Sequence, residues 1–184
     1  MAATPSKMIP LGTPAPSFEL LDVITGKYIK LNDLKSSIST VIMFICNHCP
    51  YVKLINSEIT KLGMEYIPRG VSIIAINSNN YISYPDDSPE NMKINALEQG
   101  FPFPYLLDET QEIAKAYQAE CTPDIFIYDK EMKLVYRGQF DDARPGNGKP
   151  VTGIDVRLAL EAIISNLTVN QEQIPSIGCN IKWK

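Results

Sequence analysis

At 184 residues the chain is long enough to bury one substantial core, and a single domain is expected over 1–184. A hydrophobic content of 45% beside 21% charged residues is ordinary for a globular protein, and no apolar run approaches the length of a bilayer span. The net charge of −4 argues against nucleic acid or an anionic membrane as a partner, and four cysteines are too few for a secreted disulfide framework. Met1 to Pro10 lacks the basic start and apolar stretch of a secretory signal, so the expected location is cytoplasmic.

In chain order, residues 1–16 are Pro-rich and predict an irregular N-terminal arm. Ser17–Leu21 and Lys27–Leu31, joined through Thr25-Gly26, predict a β-hairpin. Val41–Ile45 is an unbroken apolar run that predicts a buried strand. Residues 50–62 carry apolar positions at Val52, Ile55, Ile59 and Leu62, which is helical spacing. Val71–Asn77 predicts a second buried strand, and the three together make a βαβ unit with a parallel core.

Asn77–Asp87 is polar and turn-rich, as a surface loop is. Ser88-Pro89-Glu90 predicts a helix start and Gly100 its end. A strand is expected near 103–107, a helix over 111–118 capped by Thr110, and a hairpin from Asp124–Tyr128 and Lys133–Tyr136. Thr152 or Asp155 would cap a last helix burying Ile154, Leu158, Leu160, Ile163 and Ile164. A C-terminal tail over 169–184 follows, turned at Pro175 and Gly178.

Cys46-Asn47-His48-Cys49-Pro50 stands where the first buried strand hands over to a helix. A helix N-terminus carries unpaired N–H groups and partial positive charge, which favour thiolate over thiol. Strand, Cys-x-x-Cys, helix is therefore a redox arrangement. Cys46, at the helix edge, is expected to be exposed, acidic and the attacking nucleophile; Cys49, one turn inside, would resolve the mixed disulfide. The alternatives are inert buried thiols or half of a zinc site completed by Cys121 or Cys179. His48, the chain's one histidine, sits between the two sulfurs, where its charge would favour the Cys46 thiolate. Cys121 and Cys179 are either further redox thiols or structural ones. Arg137 and Arg144, near Asp141 and Asp142, are read as a solvated loop rather than as peroxide-binding groups.

This order of elements resembles the thioredoxin-like superfamily over roughly residues 10 to 167. Gly12-Thr13-Pro14-Ala15-Pro16-Ser17-Phe18-Glu19-Leu20 looks like the opening of its AhpC/TSA branch, and the tail 175–184 looks like that of peroxiredoxin-like members. The resemblance implies a three-layer α/β/α fold, with a central mixed sheet and an N-terminal hairpin extension. It also implies that Pro123 is a cis-proline facing the thiols, and that Thr122 presents its backbone edge to a substrate peptide. Two departures stand out. The Pro-x-x-x-Thr-x-x-Cys loop of peroxiredoxins is missing before either cysteine, with Ile42 and Cys46, or Ser39 and Met43, at its positions. Val41–Ile45 also lacks the carboxylate that thioredoxin places in this strand, so a proton acceptor must come from elsewhere.

The expected activity is thiol–disulfide exchange with a protein or small-molecule disulfide and a thiol reductant, with no cofactor and no metal. The rivals are an AhpC/TSA-type antioxidant peroxidase and a non-catalytic protein-binding module built on Thr122-Pro123.

Overall fold

A computed structural model describes residues 3–184. The chain opens with a short strand, β1 (Ala3–Pro5), and then the hairpin β2 (Glu19–Asp22) and β3 (Lys27–Lys30). Asp22 closes that hairpin by accepting the Thr25 hydroxyl at 2.6 Å. A one-turn helix, α1 (Leu31–Leu34), leads into β4 (Ser39–Phe44), α2 (Pro50–Tyr66) and β5 (Val71–Asn77), the expected βαβ unit. Then come α3 (Pro89–Gln99), β6 (Tyr105–Leu107), α4 (Glu112–Tyr117) and the two-residue strand β7 (Cys121–Thr122). The hairpin β8 (Asp124–Asp129) and β9 (Leu134–Gly138), helix α5 (Ile154–Ile164) and strand β10 (Ile177–Asn180) complete the fold.

The main sheet has the order β3-β2-β6-β5-β4-β8-β9, with β4, β5 and β6 parallel and the rest antiparallel. All of β4 is buried because helices cover both faces. Val41 and Met43 pack with Val52, Ile55 and Ile59 of α2 and with Val156 and Leu160 of α5. Ile42 and Phe44 face the other way, onto Ala114 and Tyr117 of α4, where Phe44 and Tyr117 rings lie 5.6 Å apart. This alternation makes the mixed three-layer α/β/α arrangement expected. A second sheet, β1-β10-β7, is antiparallel throughout and lies at the end of the molecule where β4 meets α2. No helix among the described residues is long and apolar enough to cross a membrane.

Helix α3 begins and ends as its sequence dictates. Ser88 Oγ accepts the Asn91 N–H at 3.3 Å, and Gly100 closes it at φ +66°. Other expectations need correction. The arm over 1–16 is not wholly irregular: its residues 1 and 2 lie outside the described residues, while Ala3–Pro5 is strand. Thr110 caps α4 only in part, its hydroxyl accepting the Glu112 N–H at 3.4 Å. The buried Asp108 adds the shorter bond, accepting the Ala114 N–H at 2.9 Å. At α5 the Thr152 hydroxyl accepts the N–H of the first helical residue, Ile154, at 3.3 Å, and Asp141 gathers the N–H groups of Thr152 and Gly153 ahead of it at 2.6 and 2.7 Å. Leu160 is buried as expected, with Ile163 and Ile164 partly buried against the core, but Ile154 and Leu158 are exposed and Val156 and Ala159 complete the buried face.

Candidate active site

The chain leaves the sheet immediately after Ile45, whose N–H still pairs with Ile76 at 2.9 Å. Cys49 is the N-cap residue of α2, with Pro50 at the first helical position, where a missing N–H costs nothing. The peptide bond between Thr122 and Pro123 is cis, as expected. Thr122 touches both sulfurs: its hydroxyl hydrogen-bonds Cys46 Sγ at 3.2 Å, and its carbonyl lies 3.1 Å from Cys49 Sγ. The structure thus brings Cys46, Cys49, Thr122 and Pro123 together. Both thiols are free.

The electrostatics reverse the expected assignment of charge. Cys46 is buried rather than exposed, at 1% accessibility. Burial, the hydrogen bond to Cys49 and the nearby Asp87 carboxylate push its thiol well above the ordinary range, against a smaller opposing effect of the Thr122 hydroxyl. Cys49 is drawn down to about 4, chiefly by the hydrogen bond from Cys46. Burial opposes that shift, while the Cys179 thiol and the N–H groups of Val52 and Cys179 reinforce it. The two thiols share one acidity, with burial and Asp87 working against charge on Cys46 and the helix N-terminus favouring it on Cys49. As a thiol, Cys49 donates to the Thr122 carbonyl.

His48 is also placed differently from expectation. Its Nδ1–H donates to Asp87 Oδ2 at 2.6 Å, and its ring stacks on Tyr84 with centroids 5.2 Å apart. Asp87 closes a short 3-10 turn (Pro85–Asp87) and is fully buried. Burial raises its carboxyl, but hydrogen bonds from His48, Asn79 and the Asn47 N–H outweigh that and hold it below the usual carboxylate range. The Asn47 N–H and Asn79 Nδ2 reach it at 2.7 and 2.9 Å. Tyr105 extends the network by donating to Asn47 Oδ1 at 3.1 Å.

Sequence reasoning missed this carboxylate, because Asn77–Asp87 reads as a surface loop. In the structure Asn77, Ser78, Asn79 and Asp87 are all buried. The available signal was position: a polar run directly after the carboxyl end of a central parallel strand is where α/β sheets build sites.

A Cys46 sulfur, a His48 nitrogen and an Asp87 oxygen lie within 4.8 Å of one another. Both Asp87 oxygens already accept from N–H donors, and Cys46 bonds elsewhere, to the Thr122 hydroxyl. The zinc alternative required Cys121 or Cys179, and neither belongs to this trio.

The AhpC/TSA family model matches residues 11–137, which is most of the chain. The chain belongs to the AhpC/TSA family. A thiol-disulfide oxidoreductase ResA of Bacillus anthracis is 29% identical over 125 residues, covering 68% of this chain and 67% of the relative. An uncharacterized conserved protein of Geobacillus kaustophilus is similar throughout, with 58% identity, a TM-score of 0.99 and coverage of 100% of this chain and 97% of that one. The thioredoxin domain of a thiol-disulfide oxidoreductase from Bacteroides vulgatus shares the fold at 18% identity, with a TM-score of 0.62 over 81% of this chain and 96% of that one.

Two further expectations about this AhpC/TSA family chain are revised by its structure. The Arg137 and Arg144 stretch is only in part a solvated loop. Arg137 lies in β9 and donates to Gln173 at 2.7 Å, and Arg144 donates to Gln139 and to the Asp141 carbonyl, while 145–150 are exposed. The backbone edge of Thr122, expected to be open to a substrate, is already paired with Cys179 of β10. The tail is sewn down beyond that point too. The Lys182 N–H donates to Asn79 at 2.8 Å, and Gln111 donates to the Lys182 carbonyl at 2.8 Å. Ile181 is its buried anchor. Cys121 points its thiol at the Pro123 carbonyl, 3.5 Å away, and burial keeps it protonated.

Proposed function

We propose that this chain is a thiol–disulfide oxidoreductase whose Cys46 and Cys49 exchange two electrons with a disulfide in a protein or a small thiol compound. The observation that carries this is the convergence of two free thiols on one residue, Thr122, beside a cis-proline and at a helix N-terminus. The naming of the Bacillus relative points the same way.

In the reducing direction the shared proton moves from Cys46 to Cys49, and the Cys46 thiolate attacks one sulfur of the substrate. The substrate S–S bond breaks, a Cys46–substrate bond forms, and the departing sulfur takes up a proton. Cys49 then gives up its proton and attacks Cys46 Sγ. That closes the Cys46–Cys49 disulfide and releases the second substrate thiol. Substrate has gained two electrons and two protons, and a thiol reductant restores the dithiol. His48 and Asp87 act as positioning residues: they fix the Cys46–Cys49 loop through the Asn47 N–H and set the charge felt by Cys46.

A Cys49→Ser variant tests this. It should accumulate a mixed disulfide between Cys46 and a disulfide substrate such as scrambled ribonuclease, reversible by dithiothreitol and absent in Cys46→Ser. Trapping through Cys121 or Cys179 instead would overturn the assignment.

A further inference from the structure

Strand β10 lies where a substrate strand would pair, and it carries a thiol. Cys179 stands opposite Thr122 in the β10–β7 ladder, and the carbonyl of that same Thr122 lies 3.1 Å from Cys49 Sγ. Cys179 is buried in the same cluster as Cys46 and Cys49, and the Cys49 and Cys179 thiols shift each other's acidity. The approach is close enough that it depends on a glycine. A Cβ on Gly178 would stand 2.0 Å from the Thr122 oxygen, inside any permitted contact. Gly138 allows a second close passage, since a Cβ there would lie 2.6 Å from the Ile174 carbonyl. The segment is thus shaped at two points to hold Cys179 against the dithiol.

We infer that Cys179 is a third catalytic thiol, an exchange partner for Cys49, so that Cys46, Cys49 and Cys179 pass one disulfide along a row of sulfurs. This rests on the dithiol reading above. Reduction of a substrate leaves a Cys46–Cys49 disulfide. The Cys179 sulfur, releasing its proton, attacks Cys49 Sγ; the Cys49–Cys179 bond forms, the Cys46–Cys49 bond breaks, and Cys46 leaves as a thiolate that takes up the proton. No electron enters or leaves. The oxidising equivalent moves from Cys46 to Cys179, and Cys46 is a free thiol again.

Charge favours this order of events. In the reduced protein, burial and the facing Cys49 sulfur push the Cys179 thiol up to about 12, while the Lys182 cation opposes them. Once Cys49 is in a disulfide its charge is gone and that of Lys182 remains, so oxidation of its neighbour makes Cys179 a better nucleophile.

The test is disulfide mapping. Protein oxidised with glutathione disulfide, acid-quenched, alkylated and digested without reduction should yield both Cys46–Cys49 and Cys49–Cys179 linked peptides. A Cys46→Ser variant should still lose two thiols and give the Cys49–Cys179 link alone. Gly178→Ala, which displaces the strand without touching a sulfur, should keep the Cys46–Cys49 link and lose the other. If wild type and Cys46→Ser never show Cys49–Cys179 while Cys46–Cys49 forms normally, the relay is wrong and the dithiol reading stands. If Cys46–Cys49 does not form either, the dithiol reading fails with it.

Discussion

Asp87 accepts the Nδ1–H of His48 at 2.6 Å, so the chain's one histidine is tied to a buried acid rather than to a sulfur. The acid in turn raises the Cys46 thiol. Asp87→Asn keeps the shape and removes the negative charge, so the Cys46 pKa should fall and alkylation at fixed pH should quicken several-fold. Iodoacetamide labelling across pH, read by mass spectrometry, measures this. An unchanged or raised Cys46 pKa would remove Asp87 from the electrostatics of the site.

The two buried acids Asp87 and Asp124 push stability in opposite directions with pH. Asp87 sits below its ordinary pKa when folded, so its contribution is present above about 3.8 and is lost as acid protonates it. Asp124 is raised by burial from 3.8 to about 7, and its Oδ1 has no hydrogen-bond partner. Folding therefore carries a penalty that grows between those pH values and is full above the upper one. At ~1.4 kcal/mol per unit, that penalty is at most about 4 kcal/mol. Asp124→Asn should raise the melting temperature at pH 8 and leave it nearly unchanged at pH 4. Equal shifts at both pH values would contradict the assignment.

The Thr122 hydroxyl favours the Cys46 thiolate. Thr122→Val preserves volume and removes the hydroxyl, so the Cys46 pKa should rise and disulfide-reducing activity should fall several-fold. Activity equal to wild type would show that the 3.2 Å hydrogen bond is incidental.

Cys46 is buried against Thr122, the residue on which β10 docks. In wild type its alkylation under native conditions should be slow, and Gly178→Ala should accelerate it at least tenfold as the strand lifts from Thr122. Equal rates would mean that the strand does not guard the thiol.

The parts of the fold written in local sequence were the parts that could be read from it. The apolar run before Cys46, the helical spacing after Cys49 and the Ser88-Pro89…Gly100 boundaries each depend on residues within one element, and each was observed. Asp87 was not legible, because what makes it part of the site is a set of N–H groups brought from Asn47 and His48, far away in the chain. Gly178 was misleading for the same reason. Alone in a tail it signals freedom, yet here it is required by contact with Thr122. The raised pKa of Cys46 was not legible either, because burial and the Asp87 carboxylate that cause it belong to the folded arrangement and not to the motif.

The most direct test of the central claim is reduction of insulin disulfides, followed by turbidity with dithiothreitol as electron source. Wild type should accelerate precipitation well beyond dithiothreitol alone, and Cys46→Ser should fall to that background. A Cys46→Ser variant as active as wild type would contradict the claim that this sulfur begins the exchange.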